Sequence, residues 1–388
     1  MIAQRVKLLN PSVTLSLSEK AKELKDRGND VISLSVGEPD FPTPLYIKEA
    51  GKRAIDENKT KYTPVAGIPE LKNALIDAYE REQGYRFDPK EIIVHPGSKY
   101  SIFLAALTLV EPGERVIIPT PYWVSYPEII RFAGGEPVFV PYWDKGSFDL
   151  RYDLFEEEIK KGVKLFILNV PSNPTGVIMQ EKELVKLLEA SLKYNFYILL
   201  DECYRRMLYD GHTFPSPLKL FPEAKSRLIV SGSFSKSYSM TGWRVGFTFA
   251  PAEIVKYMNR LQGHSTSNPP SMAQYAAVTA LKEEKEEVND MVREYQRRRD
   301  ICLQLLAEIP GVETTKPHGA FYLYPCVEKA LKGKYSSTEE FAKALLETRF
   351  VSLVPGEAFG TPGFLRISYA ASEKNLREGI ARMREALR

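Results

Sequence analysis

The sequence predicts an α/β protein, the larger part of which is a doubly wound, mainly parallel sheet of seven strands. From about residue 46 to 275, short apolar runs rich in β-branched residues alternate with amphipathic helical stretches. Several of these runs are apolar on both faces, as is typical of strands that helices cover on both sides. Polar motifs follow the ends of the runs, where open α/β sheets bind their ligands.

Each predicted strand is a short, mostly apolar run. In chain order the runs occupy residues 91–94, 115–118, 137–140, 164–169, 196–201, 227–231 and 245–249. Helical patterns lie between them, for example at residues 98–110 and 181–194. The last run follows the one before it closely, which allows this strand to run antiparallel.

The pattern changes after residue 270. A charged helical pattern runs from about residue 271 to 309, and short strands follow at 321–324, 351–354 and 364–368 before a final helix near Ser372. The first 45 residues are too irregular to pack alone. We therefore predict a large domain at residues 46–275 and a small α+β domain made of residues 1–45 and 276–388, with an N-terminal arm and a long connecting helix.

Composition excludes several classes of protein. The chain of 388 residues is 44% hydrophobic and 27% charged, as in globular proteins. Its net charge of +3 without a basic block argues against nucleic-acid binding, and no apolar run is long enough to suggest a membrane span. The three cysteines and four histidines lack metal-ligand spacing, so we expect no metal and predict thiols in a reducing, cytoplasmic location.

The segment around Lys236 carries the most specific chemistry. A lysine amine can form a Schiff base with an aldehyde if it is held in place and can lose its proton. Ser233, Ser235 and Arg244 offer the hydroxyl and guanidinium groups that bind a phosphate monoester. Together these groups fit pyridoxal phosphate, an aldehyde that carries a phosphate. Taken alone, a solvated lysine in a serine-rich loop is the more common explanation.

Motifs after the first two strands fit the same ligand. Gly97 and Ser98 open a helix whose N-terminus could bind an anion, although Ser98 could also be an ordinary helix cap. Trp123 could lie against a planar ring, although a core aromatic is the more common explanation. No glycine-rich dinucleotide or nucleotide-binding motif occurs in the chain.

The next two strand ends supply groups for a pyridine ring. Asn173 lies in an Asn-Pro-Thr-Gly sequence, which is also a turn pattern. Asp201 ends an apolar strand, where a carboxylate without a cationic partner would be costly, and a protonated pyridine nitrogen would serve as that partner. Tyr204 could donate a hydrogen bond to a phenolic oxygen.

These residues, taken with further motifs, resemble the class I aminotransferases of fold type I, and most closely the bacterial type of aspartate aminotransferase. The resemblance runs almost from end to end. It rests on GEPDF from Gly37, KYTP from Lys61, PYWVSYP from Pro121, NPTG from Asn173, DECY from Asp201, SFSKSYSMTGWRVG from Ser233, KPHGAFY from Lys316, and VPG from Val354 before Arg366.

The resemblance implies a role in binding pyridoxal phosphate for each group. Lys236 would form the Schiff base and move the proton, and Asp201 would keep the ring nitrogen protonated. Asn173 and Tyr204 would bond the phenolic oxygen, while Trp123 stacks on the ring. The phosphate would be held by Gly97, Ser98, the backbone of Lys99, Ser233, Ser235, Arg244 and, from the neighbouring subunit, Tyr62. The resemblance therefore implies a homodimer with shared active sites.

Substrate recognition is implied in the same way. Arg366 would bind the α-carboxylate, although a solvent-facing strand arginine is its simpler explanation. Gly37, Trp123 and Asn173 would line the substrate side. The stretch at 263–269 lacks the arginine by which animal-type enzymes bind a second carboxylate, so the Lys99 side chain becomes the candidate for that group. A lysine in the first turn of a helix faces the positive end of the dipole, which favours an anionic partner over a plain surface lysine.

The predicted activity is a ping-pong transfer of the amino group of aspartate to 2-oxoglutarate, giving oxaloacetate and glutamate. Lys99 does not separate this activity from that of a prephenate, aromatic or broad-specificity aminotransferase. A β-lyase using the same cofactor is a further alternative. A binding or regulatory module without turnover is a fourth, against which the intact Lys236, Asp201 and Arg366 argue.

Overall fold

The computed structural model describes residues 2–144, 147–283 and 285–388. Four residues lie outside this description. Met1 belongs to the predicted arm, Lys145 and Gly146 to the predicted large domain, and Glu284 to the predicted long helix.

The strands are short and spread along the described chain. They are β1 (Ile32–Ser33), β2 (Ile92–His95), β3 (Arg115–Thr120), β4 (Glu136–Pro141), β5 (Trp143–Asp144), β6 (Ser147–Phe148), β7 (Leu165–Asn169), β8 (Tyr197–Asp201), β9 (Leu228–Ser233), β10 (Gly246–Phe249), β11 (Tyr322–Leu323), β12 (Val351–Ser352), β13 (Val354–Pro355) and β14 (Leu365–Ser368).

Helices connect and cover these strands. They are α1 (Gln4–Lys7), α2 (Val13–Asp26), α3 (Leu45–Asp56), α4 (Pro69–Gln83), α5 (Ser98–Leu109), α6 (Ser125–Phe132), α7 (Glu156–Lys160), α8 (Glu181–Lys193), α9 (Pro217–Leu220), α10 (Phe234–Ser237), α11 (Ala252–Gly263), α12 (Ser271–Lys282), α13 (Glu286–Ala307), α14 (Glu328–Leu331), α15 (Thr338–Arg349) and α16 (Glu373–Leu387). Within the described residues, no helix combines the length and the apolar character needed to cross a membrane.

The main sheet of the described chain has seven strands in the order β2-β10-β9-β8-β7-β3-β4. Neighbouring strands are parallel from β9 to β4, whereas β10 is antiparallel to both β2 and β9. The predicted α/β architecture with a mainly parallel sheet of seven strands is thereby confirmed, and the last strand is antiparallel, as its short connection allows. Because β7, β8 and β9 are parallel, their carboxyl ends meet at one edge of the sheet.

Both faces of this sheet are buried, which explains the doubly apolar runs. Alternate residues of β2 enter different cores: Ile92 and Val94 pack into one cluster of buried side chains, and Ile93 packs into the other. Burying each such side chain contributes about 1.5–3 kcal/mol. The sheet is thus a rigid support for the residues at its carboxyl edge.

The N-terminal residues are more regular than expected. Residues 13–26 form the helix α2, and β1 pairs in parallel with β12, with Ile32 opposite Val351. The expectation of an irregular segment was wrong for these residues, because tertiary pairing with a distant strand supplies hydrogen-bond partners that the local sequence does not reveal. The boundaries of the two predicted domains remain a prediction.

The predicted helix over residues 271–309 is also corrected. The chain forms α12, which ends at Lys282, and a separate helix α13, which begins at Glu286. No apolar residue lies between the buried Leu281 and the buried Val288. A continuous helix would therefore have no packed side chain to hold the intervening turn against the protein.

Candidate active site

A cavity of about 250 Å³ lies beyond the carboxyl ends of β7 and β8. It is lined by eight residues that the sequence singled out, namely Gly37, Ser98, Trp123, Asn173, Asp201, Tyr204, Lys236 and Arg366. Their positions in the chain span 37 to 366, so folding brings distant segments to one place. The chemistry of these groups shows what the cavity can bind.

Lys236 lies in α10, a single helical turn directly after β9. Ser233 caps this turn, because its Oγ accepts a hydrogen bond of 3.0 Å from the backbone N–H of Ser235. The Lys236 amine donates a hydrogen bond to the backbone oxygen of Gly37. Burial lowers the pKa of Lys236 to about 8. A much larger share of the amine is therefore neutral near neutral pH than in an exposed lysine.

Asp201 ends β8 and is buried. Its Oδ2 accepts a hydrogen bond of 2.6 Å from Tyr126 Oη, and its Oδ1 accepts one of 3.2 Å from the N–H of Cys203. Burial raises the pKa of Asp201, while the hydrogen bonds from Cys203 and Tyr126 oppose that rise. No ion pair of Asp201 with lysine or arginine occurs in the described part of the chain, so a cationic group in the cavity would find this carboxyl without a competitor.

Arg366 is only 3% exposed, which excludes its interpretation as a solvent-facing strand arginine. Its Nη2 donates to the backbone oxygen of Ser35 at 2.6 Å, and its Nη1 donates to Asn173 Oδ1 at 3.1 Å. Its Nε is buried without a hydrogen-bond partner, and among the described residues no carboxylate pairs with this guanidinium. A buried cation of this kind fits an anionic ligand.

Tyr204 faces the same space as Asn173. Its hydroxyl lies 2.8 Å from that of Tyr322, and burial raises its pKa well above the ordinary value. The phenol therefore stays protonated and can donate a hydrogen bond. Both Asn173 and Tyr204 could bond an oxygen on a ring bound between Trp123 and the floor of the cavity.

An anion cradle lies beside the cavity at the start of α5. Gly97 has a φ of +88°, and a Cβ built on it would lie 2.5 Å from Nη2 of Arg244. Arg244 also donates to the backbone oxygens of Pro96 at 3.2 Å and Thr241 at 2.9 Å. The guanidinium thus packs against the N-terminus of a twelve-residue helix. Glycine is required here, since any side chain would displace Arg244.

Lys99 lies in the first turn of α5, with its amine 5.0 Å from the centre of the Trp123 ring. It lines a neighbouring cavity of about 790 Å³ together with Arg244. Although the side chain keeps contact with solvent, the surrounding protein and then the charge of Arg244 lower the pKa of its amine. Two adjacent cations favour an anionic partner at this position.

Six predicted residues do not line the cavity of 250 Å³, and three of them, Gly97, Lys99 and Arg244, lie beside it at the start of α5. Ser233 and Ser235 are buried behind Lys236, where Ser233 holds the turn. Tyr62 is 92% exposed and does not line the cavity of its own chain. Its predicted role in a neighbouring subunit therefore stays a prediction.

The sequence did not single out several residues that line the cavity, namely Thr14, Leu15, Ser18, Ser35, Val36, Tyr126, Asn169, Cys203 and Tyr322. For two of these residues, Asn169 and Tyr126, the sequence contained a signal that could have identified them. Asn169 ends β7 and links neighbouring segments, since its amide donates to the backbone oxygen of Asp201 at 3.0 Å and its Oδ1 accepts from the N–H of Asn173 at 2.7 Å. Tyr126 follows Trp123 by three residues, a spacing that places both side chains on one side of a helical turn.

The groups present fit pyridoxal phosphate. An amine with a lowered pKa, a buried carboxyl without a cation and two ring-oxygen donors line one cavity, and a phosphate cradle lies beside it. Within the described residues, no group of histidine, cysteine, aspartate or glutamate side chains is arranged to hold a metal ion.

Comparisons with known proteins agree with this chemistry. The family model described as "Aminotransferase class I and II" matches residues 29–383. A protein of Aquifex aeolicus named probable aspartate/prephenate aminotransferase is 44% identical over 388 residues, which cover 100% of this chain and 98% of that protein. The aspartate aminotransferase of Geobacillus stearothermophilus is 44% identical, with 98% of each chain covered. The solved structure of Thermus thermophilus aspartate aminotransferase with maleate is similar at a TM-score of 0.94 and 36% identity, covering 100% of this chain and 99% of that one.

Proposed function

Because this chain belongs to the aminotransferase class I and II family, we propose that it transfers the amino group of aspartate to 2-oxoglutarate, giving oxaloacetate and glutamate. Enzymes of this family use pyridoxal phosphate. One observation carries the proposal: the amine of Lys236, the uncompensated carboxyl of Asp201 and the partly unpaired guanidinium of Arg366 line one cavity.

When bound, pyridoxal phosphate supplies a ring that withdraws electrons from the α-carbon of the amino acid. Asp201 would hold a proton on the ring nitrogen, because a buried carboxylate stabilises a cation beside it. Asn173 and Tyr204 would bond the ring oxygen, and Trp123 would cover one face. The cradle of Gly97, Ser98, Ser233, Ser235 and Arg244, with the backbone of Lys99, would hold the phosphate.

Lys236 is the proposed base. Its neutral Nζ would take the proton from the α-carbon of the substrate and deliver it to the bound cofactor. The lowered pKa supports this role, because a base works best when its pKa is near the working pH. The first 2-oxo acid leaves before the second one binds, which is the order of a ping-pong reaction.

Arg366 and Lys99 are the proposed anchors for two carboxylates. Arg366 would bind the α-carboxylate, with Gly37 and Asn173 beside it. Lys99 would bind the distal carboxylate, which distinguishes aspartate from neutral amino acids. The relative from Thermus thermophilus contains maleate, a dicarboxylate, and this supports an acidic substrate for the present chain as well.

Prephenate is the second candidate substrate, because it also carries two carboxylates. The protein named aspartate/prephenate aminotransferase among the relatives favours this alternative over a purely aromatic enzyme. A β-lyase would use the same cofactor but has no observation in its favour.

We also propose that the enzyme is a homodimer in which Tyr62 reaches the phosphate of the partner subunit. The exposure of the Tyr62 side chain supports the proposal. So does the attachment of the loop that follows Tyr62 to the rest of the protein through the side chain of Gln274. Gln274 is buried, and its side chain bonds the backbone of Ile68 at 2.8 Å and the hydroxyl of Thr63 at 3.1 Å. A cytoplasmic location is proposed as well, since the described cysteines are all free thiols.

The proposed function is tested by adding L-aspartate or L-phenylalanine to the purified enzyme loaded with pyridoxal phosphate. We expect aspartate to change the visible absorbance of the cofactor rapidly and to release oxaloacetate. Equal or faster conversion of phenylalanine would identify an aromatic or broad-specificity enzyme. A protein that shows no cofactor absorbance after the addition of pyridoxal phosphate would contradict the whole proposal.

A further inference from the structure

Glu202 follows Asp201 directly and is buried behind the site. Because side chains alternate along an extended segment, the two carboxyls leave the end of β8 on different sides. The Glu202 side chain is 1% exposed, and its Oε1 accepts a hydrogen bond of 2.7 Å from Nη1 of Arg205. Its other oxygen, Oε2, is buried without a hydrogen-bond partner. The proposed chemistry at Asp201 and Lys236 gives this second carboxyl no role.

A small cavity of about 30 Å³ adjoins Glu202. Its wall includes Tyr79, Arg205 and the segment that carries Lys236, namely Gly232, Ser233, Phe234, Ser237 and Tyr238. Tyr79 Oη and Arg205 Nε are also buried without a partner. Three polar atoms around a space of this size match the requirements of one ordered water molecule, which needs two to four polar partners.

An ionic network extends from the same carboxyl to the catalytic turn. Arg205 Nη2 donates to Glu82 at 2.9 Å, and Arg206 bonds Glu82 and the hydroxyl of Tyr238. Tyr238 directly follows α10, the turn of Lys236, as its C-terminal cap. Glu202, Arg205, Glu82 and Arg206 therefore form a chain of alternating charge from the end of β8 to that turn. The side chains of Arg205 and Arg206 are only 11% and 15% exposed, so solvent screens the network weakly.

We propose that Glu202 is a positioning residue that holds the strand end of Asp201 and the turn of Lys236 at a constant separation. It does so through the network to Tyr238 and through one water molecule bound between its Oε2 and Tyr79. The inference rests on the proposed function only in that Asp201 and Lys236 act on one cofactor. Burial raises the pKa of Glu202 to about 7, which agrees with a carboxyl whose environment compensates its charge only in part.

Glu202→Gln, compared with wild type above about pH 7 where Glu202 is ionised, tests this role, because it removes the charge and keeps the size. Glu183→Gln is the matched control: the Glu183 side chain is 8% exposed and pairs with Lys186 at 2.9 Å, but it lies in α8 and lines neither cavity. Tyr79→Phe removes only the hydroxyl on the water site and serves as a second variant if Glu202→Gln folds poorly.

The first measurement is amide hydrogen exchange in the full-length protein without cofactor. Residues 232–238 should exchange about tenfold faster in Glu202→Gln, because a hydrogen bond to a charged group typically stabilises by that factor or more. Tyr79→Phe should produce a smaller change in the same segment, and Glu183→Gln none. Equal protection of this segment in Glu202→Gln and wild type would overturn the proposal.

The second measurement uses the loaded enzyme. In Glu202→Gln we expect the pH midpoint of the visible cofactor absorbance to shift and kcat to fall about tenfold with KM nearly unchanged, since only the alignment of the two groups is altered. A fall in thermal stability with the wild-type midpoint and kcat would mean a purely structural ion pair and would also overturn the proposal. If the wild-type protein binds no cofactor, the proposed function fails, whereas faster exchange confined to residues 232–238 would still support the link.

Discussion

Lys236 and Asp201 illustrate how burial changes the chemistry of single side chains. Removing a charged group from water disfavours its ionised form, so the pKa of Lys236 is lowered and that of Asp201 is raised. Arg366 keeps its charge under the same conditions and instead retains an unpaired Nε. A ligand of opposite charge would pair with Asp201 or with Arg366, and an aldehyde would react with the amine of Lys236. The unusual ionisation and pairing of these three residues therefore identify a binding site.

The first prediction concerns the pH dependence of Lys236. The rate at which pyridoxal phosphate attaches to the protein should rise with pH and level off above about 8, because only the neutral amine reacts. Trapping with borohydride followed by peptide mass analysis measures this rate, and Lys236→Ala is the control that should show no attachment. A midpoint near 10.5, the ordinary value, would contradict the expected effect of burial.

The lowered pKa of Lys236 should also make the free energy of unfolding depend on pH, and the direction of this dependence is defined. Between about pH 8 and 10.5 the unfolded chain binds this proton and the folded protein does not. The contribution of Lys236 to stability therefore rises with pH over this window.

The second prediction concerns Tyr126, which the sequence did not single out as a site residue. Tyr126→Phe removes a hydrogen bond to Asp201 and should raise the pKa of this carboxyl further. We expect affinity for pyridoxal phosphate and kcat each to fall about tenfold, as for the loss of a bond to a charged group. Tyr369→Phe is the control, since Tyr369 is equally buried and its hydroxyl bonds the backbone oxygen of Ala320 at 3.2 Å and the side chain of Tyr209, but not Asp201. Unchanged cofactor binding in Tyr126→Phe would refute the role.

At the scale of elements, the first turn of α5 brings anion-binding groups together. A helix N-terminus offers unpaired N–H groups and a partial positive charge, and Arg244 packs against it through the space that Gly97 leaves open. Lys99 follows in the same turn. The proposed substrate specificity and the proposed phosphate binding therefore share one helix start, and changing the Lys99 side chain alone should separate them.

The third prediction concerns the separation of substrate specificity from phosphate binding. Lys99→Ala should lower kcat/KM for aspartate by about a hundredfold, as expected for loss of a charge pair, and should leave the value for alanine nearly unchanged. Lys182→Ala is a matched control, because Lys182 is also the second residue of a long helix and is exposed, but it lies outside both cavities. An unchanged preference for aspartate over alanine in steady-state kinetics would show that Lys99 has been misassigned.

At the scale of the whole molecule, the site depends on segments from both ends of the chain. Gly37 lies shortly after β1, Lys236 follows β9 of the main sheet, and Arg366 lies in β14. The hydrogen bond of Lys236 to Gly37 and that of Arg366 to Ser35 join them. A change in how these segments pack against one another would alter the cavity, so substrate binding and relative movement of the segments are expected to be coupled.

The fourth prediction tests sharing of sites between subunits. Lys236→Ala and Tyr62→Ala should each be weakly active or inactive as separate proteins. After unfolding and refolding together, half of the dimers should be hybrids with one intact site, which restores activity to roughly a quarter of the wild-type value per site. Activity assays and sedimentation measure the outcome. A mixture no more active than the mean of its components would show that Tyr62 acts within its own subunit or not at all.

The fold could be predicted because its signals are local. Apart from the edge strand β4, the strands from 92 to 249 bury both faces, so their sequences are mostly apolar, and their observed bounds lie close to the predicted ones. The helix α2 and the break between α12 and α13 were missed, although the charged residues between Leu281 and Val288 are a local signal for the break. The pairing of β1 was missed because its partner β12 is far away in the sequence. Propensity within a short window carries no information about such contacts.

By itself, the sequence determined the α/β class, the main sheet, the family and the chemical identity of the groups at the strand ends, because these depend on residue type, periodicity and motif order. Tertiary structure alone decided that Arg366 is buried with one nitrogen unpaired, that Tyr126 bonds Asp201, and that Glu202 adjoins a cavity behind Lys236. The physical reason is that burial and pairing are properties of neighbours in space, and these neighbours come from strands and helices that are far apart in the chain.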